Sequence, residues 1–181
     1  MIEIRIHGRG GQGGVTTGQL IAISAFNDGM YSQTFPVFGV ERCGAPVEAF
    51  VRIDEKQINL HCQVYEPDVI LVLDSSLLNT VDVTQGLKEG GMIIINTNKK
   101  VSELGIRGNY KIYAIDATKI ALDTIHKPII NTPLLGAFAK ITGLVTLNSM
   151  KKAAEERFAK KEVADFNKKA IETVFHKTDM I

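Results

Sequence analysis

Apolar and polar positions change rhythm along this chain in a way that alternates strands with helices. The opening run IEIRIH, residues 2–7, alternates with period two, the spacing of a strand lying on a core. Glycines follow, and then TTGQLIAISAFND, where Leu20, Ile21, Ile23, Ala25 and Phe26 put apolar groups on most sides of a helix. A crossover helix packed on a sheet has that pattern. YSQTF and VEAFVRI predict two further strands, the second followed by the turn signal IDEKQ. DVILVLD and GMIIINT are continuous apolar runs, the mark of central parallel strands covered on both faces, and KIYAID predicts another strand.

Two later helices have readable limits. In NTPLLGAFAKITGLV, Pro133 suits a first helical position with Thr132 as its N-cap, and Leu134, Leu135, Phe138, Ile141 and Val145 form a stripe. In VADFNKKAIETVF, Val163, Phe166, Ala170, Ile171, Val174 and Phe175 recur at helical spacing, while Lys168, Lys169, Glu172 and Thr173 face away. No repeat, low-complexity tract or Pro/Gly-rich linker divides the chain. The expectation is one domain over residues 1–181, α/β in class. It is a three-layer α/β/α arrangement with a largely parallel central sheet, Rossmann-like but not a standard NAD-binding domain.

Composition narrows the partners. The 181 residues carry 21 basic and 20 acidic side chains, a net charge of +1, which gives no reason to expect nucleic acid or an anionic membrane surface. Charges interrupt MIEIRIHG where a signal peptide needs an apolar core, and the apolar runs at 69–73 and 92–95 are too short to span a bilayer. A cytoplasmic protein is expected. Cys43 and Cys62 are two thiols only, whereas a four-iron cluster needs four thiolates. His7, His61, His126 and His176 are scattered, so neither a metal site nor a catalytic residue is expected on this chain.

Two stretches carry candidate chemistry. HGRGGQGGVTT, residues 7–17, places Gly8, Gly10 and Gly13 at the spacing of a dinucleotide-binding turn, with Gly11 between them. A strand, a glycine turn and a helix aim free N–H groups and the helix dipole at one point, with the Gln12 amide and the Thr16 and Thr17 hydroxyls as further donors. The same glycines also serve a tight turn that brings helix and sheet together. A ribose-holding acid is expected about 20 residues on, at the end of the second strand. Asp28 falls in the turn before that strand, and TFPVFG after it has no carboxylate, so NAD is disfavoured. The second stretch, FPVFGVERCGAPV, is apolar and stiff, with one Glu41–Arg42 pair. Phe35, Phe38 and Gly39 are expected at an interface that covers them, and Arg42, oriented by Glu41, at an anionic group. The self-contained alternative is a turn in which both charges meet solvent.

Taken with NTPLLGA at 131–137, these segments resemble the gamma subunit of 2-oxoacid:ferredoxin oxidoreductases of the pyruvate synthase type, over about 145 residues in order. The resemblance implies a complex that decarboxylates a 2-oxoacid on thiamine diphosphate, transfers the acyl group to coenzyme A and passes electrons to ferredoxin. It implies alpha, beta and delta partner subunits that hold thiamine diphosphate, Mg²⁺ and 4Fe-4S clusters, and it points to Asn131 and Thr132 as interface or ligand contacts. This chain then contributes assembly and ligand contacts, coenzyme A among them, with pyruvate the favoured substrate. A stand-alone nucleotide-binding oxidoreductase and a non-catalytic interaction protein are the competing readings.

Overall fold

The computed structural model describes residues 1–37, 44–127 and 129–178. Strands β1 (Ile2–Arg9), β2 (Tyr31–Pro36), β3 (Pro46–Asp54), β4 (Val69–Val72), β5 (Met92–Asn96) and β6 (Lys111–Ile115) form one sheet in the order β2-β3-β1-β4-β5-β6. β1, β4, β5 and β6 run parallel, and β3 pairs antiparallel with both β1 and β2, so β3 is the single reversed strand of the six. The sheet is therefore largely parallel, as the continuous apolar runs at β4 and β5 require.

Five helices join the strands and follow them: α1 (Gly14–Asn27), α2 (Ala117–Ile125), α3 (Asn131–Thr142), α4 (Leu147–Arg157) and α5 (Lys161–Lys177). α1 packs on β1, β2 and β3, α3 reaches β5, and α4 and α5 pack on those two helices. Ile4, Ile6, Val51, Ile53, Val69, Leu71 and Ile94 point into this helical side, with Leu20, Leu135, Phe138 and Ile171. The other face of the sheet buries Ile70, Val72, Ile93 and Ile95 against Leu77, Val83, Leu87 and Leu104. Its cover is irregular chain with two short 3-10 helices, Ser75–Asn79 and Val101–Glu103.

Beside that second apolar core the same face is polar. The period-two pattern of β1 sends Glu3, Arg5 and His7 there, and β3 adds Glu48 and Arg52 in register with His7 and Glu3. Arg52 is buried and donates from Nε to Glu3 Oε1 (2.8 Å) and from Nη2 to the carbonyl of Gln63 (3.2 Å). Buried charge held this way costs desolvation that only complete pairing offsets.

Three details differ from the sequence expectation. Among the described residues the α-helices cover one face of the sheet only, so the expected α/β/α arrangement lacks its second helical layer, the segments after β4 and β5 being irregular chain with short 3-10 turns. α3 begins at Asn131 and its N-cap is Ile130, so Pro133 stands inside the first turn and Thr132 is buried, donating its hydroxyl to Asn167 Oδ1. A proline is tolerated there because first-turn amides have no intrahelical acceptor. On α5 the buried positions are Ala164, Asn167, Ala170, Ile171 and Val174, and Val163 is 37 % exposed. Val163 shares a helical face with Asn167, Ala170 and Val174 but stands in the first turn, at the end of the helix. Further along, Gly136 of α3 sets the contact: a Cβ there would lie 2.1 Å from the carbonyl oxygen of Ile171, so the helices touch backbone to backbone.

Candidate functional site

The glycine turn stands at the carboxyl end of β1, where the strand order reverses between β1 and β4. Crevices of open α/β sheets form at such switch points. Gly11 and Gly13 have φ of +92° and +83°, the left-handed region that glycine enters without strain, and Gly13 is the N-cap of α1. Gly13 is required twice, because a Cβ there would also lie 2.6 Å from Nδ2 of Asn131. The start of α3 thus rests on the start of α1, joining two segments distant in sequence. Gly8 is a buried position inside β1, where a Cβ would press on Leu73 Cδ1 at 3.2 Å. Gly10 is fastened to the chain before β3: its N–H donates to Ala45 O (2.9 Å), and its carbonyl accepts from Gly44 N (3.1 Å). The two stretches singled out in the sequence therefore meet at Gly10.

Side chains expected to face a ligand are partly engaged within the chain. Gln12 accepts from Arg9 N at Oε1 (2.8 Å) and donates from Nε2 to Asp74 Oδ2 (2.8 Å). Thr17 is buried and donates its hydroxyl to Gly13 O (3.0 Å), an ordinary back-bond within the first turn. Thr16 is half-buried in that turn. Asp74, just beyond β4, is the hub. It accepts from Ser76 N (2.9 Å), Gln12 and Arg9 Nε (3.3 Å), and Arg9 also donates to Ser76 Oγ (2.8 Å) and Gly44 O (3.1 Å). Burial raises the Asp74 carboxyl, but bonds from Gln12 and Ser76 and the Arg9 charge outweigh it and hold the pKa below the usual range. An acid just past a central strand is a local signal, but its partners Gln12 and Arg9 lie 62 and 65 residues away in sequence, so the hub itself was not legible.

A cavity of about 300 Å³ opens beside the turn, walled by Gly10, Gly11, Gly13 and Gly14 together with Val15, Pro36, Val37 and Glu48. A second, of about 200 Å³, lies against His7, Gly8, Val47 and Leu77 and shares Glu48. Glu48 keeps 41 % of its side chain exposed and meets Nδ1 of His7 at 3.4 Å. Behind it, Arg5 donates from Nε to His7 Nε2 (3.1 Å) and from Nη2 to the carbonyls of Val83 (3.1 Å) and Gln85. Burial raises the Glu48 carboxyl above its ordinary pKa, opposed by the Arg5 charge. A more open cleft of about 500 Å³ lies between residues 78–84 and 104–107, where Asp82 is occupied by the amide and hydroxyl of Thr84.

The remaining candidates are dispersed. Phe35 is half-buried in β2, its ring 5.4 Å from that of Phe50 and with the Arg52 guanidinium 5.4 Å from its centroid, so this chain itself supplies cover for it. Asp28 sits at the far end of α1, where it accepts from Thr146 N (2.7 Å), Thr146 Oγ1 (2.8 Å) and Ser149 Oγ (2.5 Å). It ties α1 to α4 and has no access to a ligand at the turn. Phe38, Gly39, Glu41, Arg42 and Cys43 lie outside the described residues. Among the described residues no three His, Cys, Asp or Glu side chains gather as metal ligands, and no helix is long and apolar enough to cross a membrane.

A parallel-sheet α/β domain with a glycine turn locked to the head of a second helix is the class these features define. The chain belongs to the pyruvate ferredoxin/flavodoxin oxidoreductase family, whose pattern matches residues 3–176. It is 53 % identical over 176 residues to the pyruvate synthase subunit PorC of Methanocaldococcus jannaschii, covering 97 % of this chain and 96 % of that one. It is 54 % identical to the pyruvate/ketoisovalerate oxidoreductases common subunit gamma of Thermococcus kodakarensis, covering 98 % and 97 %. The crystal structure of pyruvate oxidoreductase subunit PORC from Thermotoga maritima superposes with a TM-score of 0.83 at 39 % identity, covering 97 % of this chain and 95 % of that one.

Proposed function

We propose that this chain is the gamma subunit of a multi-subunit enzyme for coenzyme A-dependent oxidative decarboxylation of a 2-oxoacid, with pyruvate favoured and electrons passed to ferredoxin. The observation that carries the reading is identity above 50 % to gamma-type subunits along nearly the whole of both chains. The alpha, beta and delta subunits hold the thiamine diphosphate, Mg²⁺ and 4Fe-4S chemistry, and the complex works in the cytoplasm. A relative named as common to pyruvate and ketoisovalerate oxidoreductases supports a division of labour in which the choice of 2-oxoacid lies on other subunits.

This chain's share is assembly and ligand contact. The ligand contact runs along the turn from Gly10 to Gly13 and the first turn of α1, whose leading amides precede the first intrahelical bond, Thr17 N to Gly13 O (2.9 Å). Asn131, seated over Gly13, supports that helix end, and Arg42, outside the described residues, is a candidate contact for an anionic group. The test is Gly14→Glu in the assembled enzyme. A Cβ at Gly14 meets nothing within 4 Å, and an acid in a first helical turn is favoured by about 0.3–1 kcal/mol, so the fold survives. The expected result is a raised KM for coenzyme A with the KM for the 2-oxoacid unchanged; wild-type values for both would refute ligand contact here.

A further inference from the structure

β2 is an edge of the sheet, and its ladder has a fixed phase. Val37 N donates to Glu48 O (3.1 Å), and the register continues through Phe35↔Phe50, Gln33↔Arg52 and Tyr31↔Asp54. Bonding alternates along an antiparallel pair. Those residues therefore exchange bonds with β3, while Ser32, Thr34 and Pro36 turn their main chain to the open side. Among the described residues no strand lies beyond them. An open ladder is a template for another strand, and edges are commonly guarded by charge. The opposite edge, β6, opens on the exposed Lys111. β2 has no charge, and neither has α1 beside it. Between Arg9 and Glu41 the only charged side chain is Asp28, which is spent on Thr146 and Ser149.

This edge is complementary to itself. Tyr31, Ser32, Gln33, Thr34 and Phe35 run aromatic, hydroxyl, amide, hydroxyl, aromatic, the same from either end. We propose that β2 pairs antiparallel with β2 of a second copy of this chain, about a two-fold axis at Gln33, joining the two sheets edge to edge. Ser32 then exchanges main-chain bonds with Thr34 of the second copy, and Thr34 with its Ser32. These bonds use every outward N–H of the strand, because Pro36 has none. Tyr31, 52 % exposed, stands opposite Phe35 of the second copy, an aromatic cross-strand pair made twice. The helices agree with the same axis. α1 lies over β2 and β3. With strands about 4.8 Å apart, its axis then comes about 10 Å from that of its mate, a helix-packing distance. Ser32 Oγ donates to Ala22 O (2.7 Å), and a Cβ on Gly18 would meet Thr34 Oγ1, so Gln33 is level with the middle of α1. Val15 and Phe26, 41 % and 72 % exposed, stand about equally far to either side of that level, so each meets the other across the axis. Val15 also walls the cavity beside the glycine turn, which brings Phe26 of the second copy to the rim of the candidate site.

Sedimentation equilibrium of the purified chain tests the pairing independently of any ligand. The expected mass in the micromolar range is twice 19.8 kDa. Thr34→Pro removes an outward N–H and leaves the ladder to β3 intact, losing only the side-chain bond from Oγ1 to Phe50 O. Phe26→Lys puts a cation in the last turn of α1, where the helix dipole favours it. Each should raise the dimer Kd about tenfold or more, with circular dichroism and urea unfolding showing a folded chain. Val15→Glu should weaken the dimer alone but restore it when combined with Phe26→Lys. The two new charges can meet only across the axis, since within one helix they stand about 16 Å apart. A chain that stays at 19.8 kDa throughout that range overturns the proposal. So does a dimer that Thr34→Pro and Phe26→Lys both leave intact, or a double variant that dissociates more readily than either single change. If the lone chain is monomeric and Thr34→Pro only keeps it out of the assembled complex, the edge belongs to a different subunit and the pairing falls.

Discussion

His7 is held in the one protonation state its neighbours permit. Arg5 Nε can only donate, so the His7 Nε2 it meets at 3.1 Å must be bare, and the ring proton sits on Nδ1 facing Glu48. Burial first, and the Arg5 charge second, push the His7 pKa down to about 3 from 6.5. The unfolded chain then takes up a proton below pH 6.5 that the folded chain refuses until about pH 3. Stability is therefore lost as pH falls through that window, by about 1.4 kcal/mol per unit and about 2 kcal/mol by pH 5 from this group. The facing carboxylates, Glu48 and Asp82, titrate too, so a comparison with a non-titrating residue isolates His7. Gln at this position keeps an acceptor for Arg5 and a donor for Glu48. Urea unfolding at about pH 7.5 and about pH 5 should show a smaller loss in His7→Gln than in wild type; equal losses would mean that His7 does not drive the acid slope.

At the scale of elements, the tightest joint is between α3 and α5. Gly136 lets the Ile171 carbonyl come within 2.1 Å of where a Cβ would stand, and Phe175 N within 2.8 Å, so Gly136→Ala must push the helices away from each other. Overpacking of this kind costs about 1–3 kcal/mol, and backbone on the far side leaves little room to relax. Urea unfolding of the purified chain should show an unfolding free energy lowered by that amount, through a lower midpoint at unchanged slope. A second joint ties α1 to α4 through Asp28. Its removal in Asp28→Ala should cost about 1–2 kcal/mol for the bonds from Thr146 and Ser149. Burial raises the Asp28 carboxyl, but those bonds outweigh it and depress the folded pKa. The contribution is thus present at neutral pH and lost as pH falls below the ordinary carboxylate range, which an acid titration of the variant's deficit checks. Elements of this kind were legible unevenly. All six strands were readable within a residue or two because period two and unbroken apolar runs are local signals. α4 was not, since Met150, Ala153 and Ala154 are a thin stripe in a charged sequence. Nor were the start of α3 and the exposure of Val163 in the first turn of α5, which local pattern does not determine.

Across the described residues the molecule is lopsided: the five α-helices lie on one face of the sheet, and irregular chain and a ladder of polar and charged side chains cover the other. The candidate site sits where these halves meet, at the carboxyl ends of β1 and β4. Its glycines were legible from spacing alone, and Asn131 from the motif that resembles the family. Asp74, Glu48 and His7 were not, because each matters through a residue distant in sequence. The described fold closes its own cores, and its most exposed large apolar side chains, Phe26 at 72 % and Tyr65 at 68 %, stand singly, one at the end of α1 and one after β3. Scattered exposure of that sort is normal for a chain that folds unaided. The chain also has two cysteines in all, too few for a four-iron cluster. Purified alone, it should unfold in one cooperative transition, carry no stoichiometric iron or thiamine diphosphate, and fail to reduce a viologen dye with 2-oxoacid and coenzyme A. Added to a complex prepared without it, it should restore turnover, and the Gly14→Glu chain should restore it only at raised coenzyme A. Dye reduction by the lone chain would move the chemistry onto this subunit. Full turnover by the complex without it would remove the chain from the reaction altogether.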